Sequence, residues 1–189
     1  MNLLLHCCCG PCVTVVVDHF RAFGDELTGW FSNPNIHPVA EQQRREETFE
    51  QAARALELPV LRGEPGLDFR GFLLAQASYG GSRCRACYEM RLKATAREAA
   101  ARSFDGFSTT LLVSPYQDIA AIGELGRTIG ERLGLVFRFA DLRDRYQESR
   151  ERARQLGLYC QRYCGCLFSG LEGARRRATR ALAKAGRAA

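Results

Sequence analysis

Short apolar runs alternate with stretches of helical spacing along almost the whole sequence, and this alternation restricts the fold more than any other feature. The runs are NLLL (2–5), LTGWFS (27–32), PVLRG (59–63), GFSTTLLVS (106–114) and VFRFA (136–140). Between them lie helical patterns over 13–23, 39–58, 67–77, 88–102, 119–133 and 144–156, with a last one from 168 to 184. Phe49, Ala52, Ala53 and Leu56 share one face of the second pattern. Pro11 suits a helix's first turn, although the valines that follow weakly disfavour helix there. Strands that alternate with helices in this way predict an α/β fold, a parallel sheet of about five strands with helices on both faces. The 189 residues suit one domain with a real core. A basic helix over about 168–187 is expected to close it. Ligands of such sheets bind beyond the carboxyl ends of the strands. HCCCGPC follows the first run, NPNIHP (33–38) the second and SPYQ the fourth, so the motif-bearing loops fall on one edge.

Cysteine is the unusual component of an otherwise ordinary composition, 46% apolar and 25% charged. The nine cysteines are odd in number, and the chain is too long to depend on a disulfide framework. They form three groups: Cys8, Cys9 and Cys12 behind Cys7; Cys84 and Cys87 in the loop SYGGSRCRAC (78–87); and Cys164 and Cys166 in the loop LYCQRYCGC (158–166), behind Cys160. A lone cysteine is usually a small buried hydrophobe, the reading preferred for Cys7 and Cys160. The others stand in polar, Gly-rich loops, where paired thiolates build metal sites. Adjacent residues rarely serve one zinc tetrahedron, whereas a four-iron cluster presents separate corners. A [4Fe–4S] cluster held by Cys8, Cys9, Cys84 and Cys87 is therefore the expectation. Cys164-Gly-Cys166 reads either as a strained, redox-active disulfide pair or as a chelate for a second, mononuclear iron, with Cys12 and Asp141 as further ligands.

No apolar run approaches the roughly 18 residues of a membrane span. MNLLL lacks the basic start of a signal peptide, so a cytoplasmic protein with no membrane partner is expected. The net charge is +6, and residues 171–189 carry most of it, through Arg175, Arg176, Arg177, Arg180, Lys184 and Arg187 against Glu172. Such a tail is either a contact for a polyanion or a solvated helix face.

The segments LLHCCCGPC, NPNIHP, CRACYEMRL, STTLLVSPYQ and LYCQRYCGCLFS, in this order from Leu3 to about Ser169, resemble the cobalamin-independent epoxyqueuosine reductases. The resemblance implies reduction of the epoxide of epoxyqueuosine at the tRNA wobble position, with an unidentified electron donor. It implies a [4Fe–4S] cluster on the four cysteines already chosen, a redox-active role for Cys164 and Cys166, and an additional iron. It also implies a fold similar to the nucleotide-binding, HUP-like tRNA sulfurtransferases. Bases in RNA loops are read splayed out, stacked on aromatic rings and bonded at their edges. Tyr88, Tyr116, Tyr159 and Tyr163 are candidate stackers or packing around the cluster. Asn33, Asn35 and Gln117 are candidate partners of the base, with turn-making the alternative for the asparagines. His37 is a proton donor or, slightly preferred, a loop cap. Arg91 meets a phosphate or pairs with a local acid.

Three other readings compete. A structural zinc protein that binds RNA explains thiols and charge without a reaction. An iron–sulfur-dependent tRNA sulfurtransferase needs a phosphate loop after the first strand, and CCCGPC, with one Gly and no Ser, is a poor one. A general dithiol oxidoreductase uses Cys84 and Cys87 but leaves the other motif cysteines idle.

Overall fold

Three leucines fix the centre of the molecule. Leu3, Leu4 and Leu5 have no exposed surface, and they sit in a strand flanked on both sides. The computed structural model describes residues 1–62, 69–78 and 82–185. Its strands are β1 (Asn2–His6), β2 (Glu26–Trp30), β3 (Val60–Leu61), β4 (Gly106–Thr109) and β5 (Val136–Phe137). They form one sheet in the order β3-β2-β1-β4-β5, and every pairing is parallel. The helices are α1 (Gly10–Ala22), α2 (Val39–Ala55), α3 (Phe69–Ser78), α4 (Arg83–Ala101), α5 (Ile119–Leu133), α6 (Tyr146–Gln155) and α7 (Leu167–Ala185).

Alternation along β1 divides the core in two. Leu3 and Leu5 pack with Val13, Val16 and Phe20 of α1 and Phe49 of α2. Leu4 faces the other way, toward Leu92 and Ala96 of α4, Phe107 of β4 and Ile122 of α5. The expected α/β fold, with helices on both faces, is therefore the fold observed. The chain winds outward from β1 to β3 and then returns to β4 on the other side of β1. The carboxyl ends of β1 and β4 flank the point where the winding reverses, the usual place for a ligand.

Several local expectations need correction. The run 106–114 is a strand only to Thr109; Thr110–Val113 is a 3-10 turn, opened when the Thr109 hydroxyl accepts the Leu111 N–H at 3.2 Å. The valines of α1 do not prevent helix, because Val13, Val15, Val16 and Val17 are wholly buried and packing outweighs their propensity. That helix begins at Gly10, so Cys12 is helical. Cys84 and Cys87 likewise stand on the first turns of α4 rather than in a loop. Gly63, the residues from 64 to 68, 79–81 and Arg187 lie outside the described residues.

One glycine sets how closely α1 approaches α2. A Cβ at Gly10 would stand 2.5 Å from the Thr48 carbonyl oxygen, a backbone atom that cannot move aside. Overpacking of this kind costs about 1–3 kcal/mol. Gly10→Ala should lower the free energy of unfolding by that amount, read as a lower urea midpoint with an unchanged slope.

Candidate thiol site at the carboxyl edge of the sheet

The chain leaves β1 directly into the sulfur-rich loop. The Cys7 N–H extends the ladder to the Trp30 carbonyl at 2.8 Å, and its buried thiol donates to the Leu5 carbonyl at 3.3 Å. Cys7 is thus the small buried residue its position suggested. Cys8 donates its N–H to the Thr110 hydroxyl at 3.1 Å, and its sulfur lies 3.4 Å from the same oxygen. The sulfurs of Cys8 and Cys9 are 3.8 Å apart. The Gln161 amide donates to the Cys9 sulfur at 3.0 Å, tying this loop to the third cysteine group. The Cys9 thiol is pushed up to about 12, first by its hydrogen bond to Cys12.

The second and third groups share a cleft. Cys84, Cys87, Cys164 and Cys166 all line it, with Tyr88 and Gln117. Its free space is about 430 Å³ with the open mouth included. Burial pushes Cys87 up to about 11, against the pull of Arg91. The Tyr88 phenol donates to Gln117 Oε1 at 2.8 Å and accepts the Asp118 N–H at 3.2 Å. That fixes the Gln117 amide, whose Nε2 then donates to the Cys164 sulfur at 3.6 Å.

Arg91 is common to all three groups. It is 2% exposed, pairs with no carboxylate among the described residues, and leaves Nη2 buried without a hydrogen-bond partner. Its Nε donates to the Cys87 carbonyl at 3.2 Å. Burial alone would lower its pKa, but the sulfurs of Cys87, Cys164 and Cys8 outweigh that and raise it. A buried guanidinium without a carboxylate calls for anions nearby. Here sulfurs are the groups that can supply them. Of the two partners expected for Arg91, a phosphate or a local acid, no acid pairs with it among the described residues.

The Cys164-Gly165-Cys166 loop is held from behind by Arg45, a residue the sequence reading passed over. Arg45 is 1% exposed. It donates to the Cys164 carbonyl at 2.9 Å, the Tyr163 carbonyl at 3.0 Å and Glu41 at 2.8 Å. The His37 N–H donates to the Gly165 carbonyl at 2.8 Å. Gly165 has φ +130°, and a Cβ there would crowd Ile36 and Arg45 at 3.0 and 3.1 Å. Cys166 stands just before α7, where its sulfur accepts the Ser169 N–H at 3.4 Å.

Other candidates are placed differently. Cys12 is buried beside Cys9, and no interaction joins it to Cys164 or Cys166. Asp141 is exposed and its carboxylate is held by Arg143 at 2.8 Å, so it is not gathered with the thiols. Among the described residues, no three His, Cys, Asp or Glu side chains stand close enough to share one ion. Tyr159 donates to Glu41 and Tyr163 to the His37 carbonyl, both behind the loop rather than in the cleft. Tyr116 is 81% exposed, edge-on to Tyr146. Asn33 donates to the Cys7 carbonyl at 2.8 Å and faces a second cleft past β2 and β3. Asn35 is wholly buried with both amide atoms unpartnered. His37 packs against Phe69 and Phe72, and burial lowers its pKa, which disfavours the protonated form a donor needs.

The sequence model of the family described as "Epoxyqueuosine reductase QueH" matches residues 3–172. The chain belongs to that family. Relatives carrying the same description are 37% identical in Thermotoga maritima, with 90% of this chain and 91% of the other aligned, and 34% identical in Dehalococcoides mccartyi, with 90% and 93% aligned. Among solved structures, a predicted subunit of a tRNA methyltransferase from Methanocaldococcus jannaschii has a TM-score of 0.50 at 12% identity. That match covers 82% of this chain and 74% of the other, and it is a likeness of fold. The QueH family match spans all three cysteine groups and both clamping arginines, Arg45 and Arg91.

Two measurements check this geometry. Arg45→Ala leaves two loop carbonyls without their donor and Glu41 without its cation, which should cost about 2–4 kcal/mol and speed alkylation of Cys164 by iodoacetamide. His6 is wholly buried between the Thr109 hydroxyl at 2.9 Å and the Ser32 carbonyl at 3.2 Å, and burial first, then Arg91, lowers its pKa to about 3. The unfolded chain therefore takes that proton first as pH falls. Stability should be full above pH 6.5 and decline toward pH 3, and His6→Gln should flatten the decline of the urea midpoint across that window.

Proposed function

We propose that this protein reduces the epoxide of epoxyqueuosine in tRNA to the cyclopentene of queuosine. The supporting observation is the family match over residues 3–172, taken with four motif cysteines around one cleft at the carboxyl edge of the sheet. Removal of the oxygen takes two electrons and two protons and yields water. The thiols of Cys164 and Cys166 supply both: two carbon–oxygen bonds break, the carbon–carbon double bond and an S–S bond form, and oxygen leaves with the two thiol protons. An external reductant then restores the dithiol.

The residues present fit a [4Fe–4S] cluster on Cys8, Cys9, Cys84 and Cys87. Cys8 and Cys9 sit side by side, Cys84 and Cys87 occupy one side of the first turns of α4, and buried Arg91 lacks a counter-ion that anionic thiolate ligands would provide. When bound, such a cluster passes electrons one at a time. Gln117 is oriented by Tyr88 so that its N–H points to Cys164, where it can also donate to an oxygen of the substrate. The tRNA base enters splayed from its loop.

The test separates the two thiol sets. Cys164→Ser should keep the iron and sulfide content and the brown absorbance of anaerobically loaded protein while turnover of epoxyqueuosine-tRNA is abolished. Cys87→Ser should lose the cluster. If Cys164→Ser instead loses it, this division of labour is wrong.

A further inference from the structure

The family match ends at residue 172, yet α7 continues to Ala185. Its first turns belong to the cleft: Phe168, Ser169 and Glu172 line it beside Cys84 and Cys166. Glu172, the one acid of the helix, is taken by Arg83 at 2.8 Å. From Ala174 to Ala183 every residue is exposed. Among the described residues no carboxylate pairs with Arg175, Arg176, Arg177 or Arg180. At 100° per residue, Arg176, Arg177 and Arg180 share one side of the helix, while Leu171, Ala174, Ala178 and Leu182 share the opposite side.

We propose that the arginine face of α7 docks on the phosphate backbone of the stem next to the modified loop, the helix acting as a rail that leads away from the cleft. This rests on the reading of the protein as a tRNA-modifying reductase. Charge selects the occupant: unpaired guanidiniums along one face match a row of phosphates. Position selects the part of the RNA. Arg180 lies about 12 Å further along the axis than Glu172 at 1.5 Å per residue, beyond the reach of a base seated in the cleft. The apolar face is mostly alanine, with Leu171 and Leu182 as its large members, too little to anchor the helix in a membrane.

The experiment compares the reductase, loaded with its cluster, with the triple variant Arg176→Gln, Arg177→Gln, Arg180→Gln. Glutamine keeps helix propensity, and the sites are exposed, so the fold is not at stake. Two substrates are used: the full tRNA and a trinucleotide with epoxyqueuosine at its centre. The triple variant should raise KM for the tRNA about tenfold or more near physiological salt. It should also make the slope of log affinity against log salt shallower by roughly 2 to 3, one phosphate per arginine. The trinucleotide should be turned over equally by both proteins. An unchanged KM and salt slope for the tRNA would overturn the proposal. So would an equal loss on both substrates, which would place the arginines' effect at the cleft. Loss of binding to phosphatidylglycerol vesicles with an unmoved tRNA KM would assign the face to a membrane instead. If the unaltered protein reduces neither substrate, the functional reading itself fails and the rail falls with it.

Discussion

A guanidinium buried without a carboxylate is the constraint around which the site is built. Arg91 cannot shed its charge, and among the described residues no acid pairs with it to balance that charge. Three sulfurs, each from a different cysteine group, are the groups that respond to its charge. In the protein without metal, burial holds the Cys87 thiol well above its ordinary range, and the hydrogen bond to Cys9, then burial, does the same for Cys8. The cation and the protonated thiols are then mismatched. Ionised thiolates on a bound metal would remove that mismatch, and the cost of burying each partner falls when both are charged together.

The sheet makes this arrangement possible by bringing distant segments to one edge. β1 delivers Cys8 and Cys9, and the turn after β4 meets them through Thr110. The start of α4 presents Cys84 and Cys87 from the other face of the sheet. Cys164 and Cys166 arrive in a loop with no strand to fix them. There a second buried arginine does the fixing: Arg45, neutralised by Glu41, grips two loop carbonyls while His37 holds a third. The two arginines differ in kind. Arg45 has its carboxylate and its acceptors and holds backbone in place. Arg91 has neither in full and acts through its charge.

The layout of strands and helices was legible because period and length report directly on burial, and β1 carries the strongest such signal. The cysteine groups were legible because their spacing survives any small shift of element boundaries. What sequence could not give was the state of single polar residues. Arg91 reads as a partner for a phosphate or a local acid one turn after the CxxC, and only packing of α4 against the sheet buries it. Arg45 did leave a signal, since it shares the inward face of α2 with Phe49 and Ala52, but a lone cation on an apolar stripe is usually taken for a snorkelling side chain. Asp141 was a candidate ligand for the second iron. Its nearest cation, Arg143, is two residues away and claims it. The strand over 106–114 failed at Thr110 because a β-rich run cannot reveal the Thr109 hydroxyl bond that opens the 3-10 turn.

That turn has a chemical consequence. Had β4 run on to Ser114, Thr110 would have spent its backbone in the ladder and its side chain on one face of the sheet. By turning, the chain frees the Thr110 hydroxyl to accept the Cys8 N–H and to stand 3.4 Å from the Cys8 sulfur. A hydroxyl so placed lowers the Cys8 pKa, against the larger upward push of Cys9 and burial. Thr110 and Arg91 are thus the two groups that favour a thiolate at Cys8, one by a hydrogen bond and one by charge. Cys9 works against them, because the Cys8 thiol donates to the Cys9 sulfur at 3.8 Å and loses that bond on ionising. Within the adjacent pair it is therefore the Cys8 sulfur that resists ionisation, and a cation that bound both sulfurs would relieve that resistance.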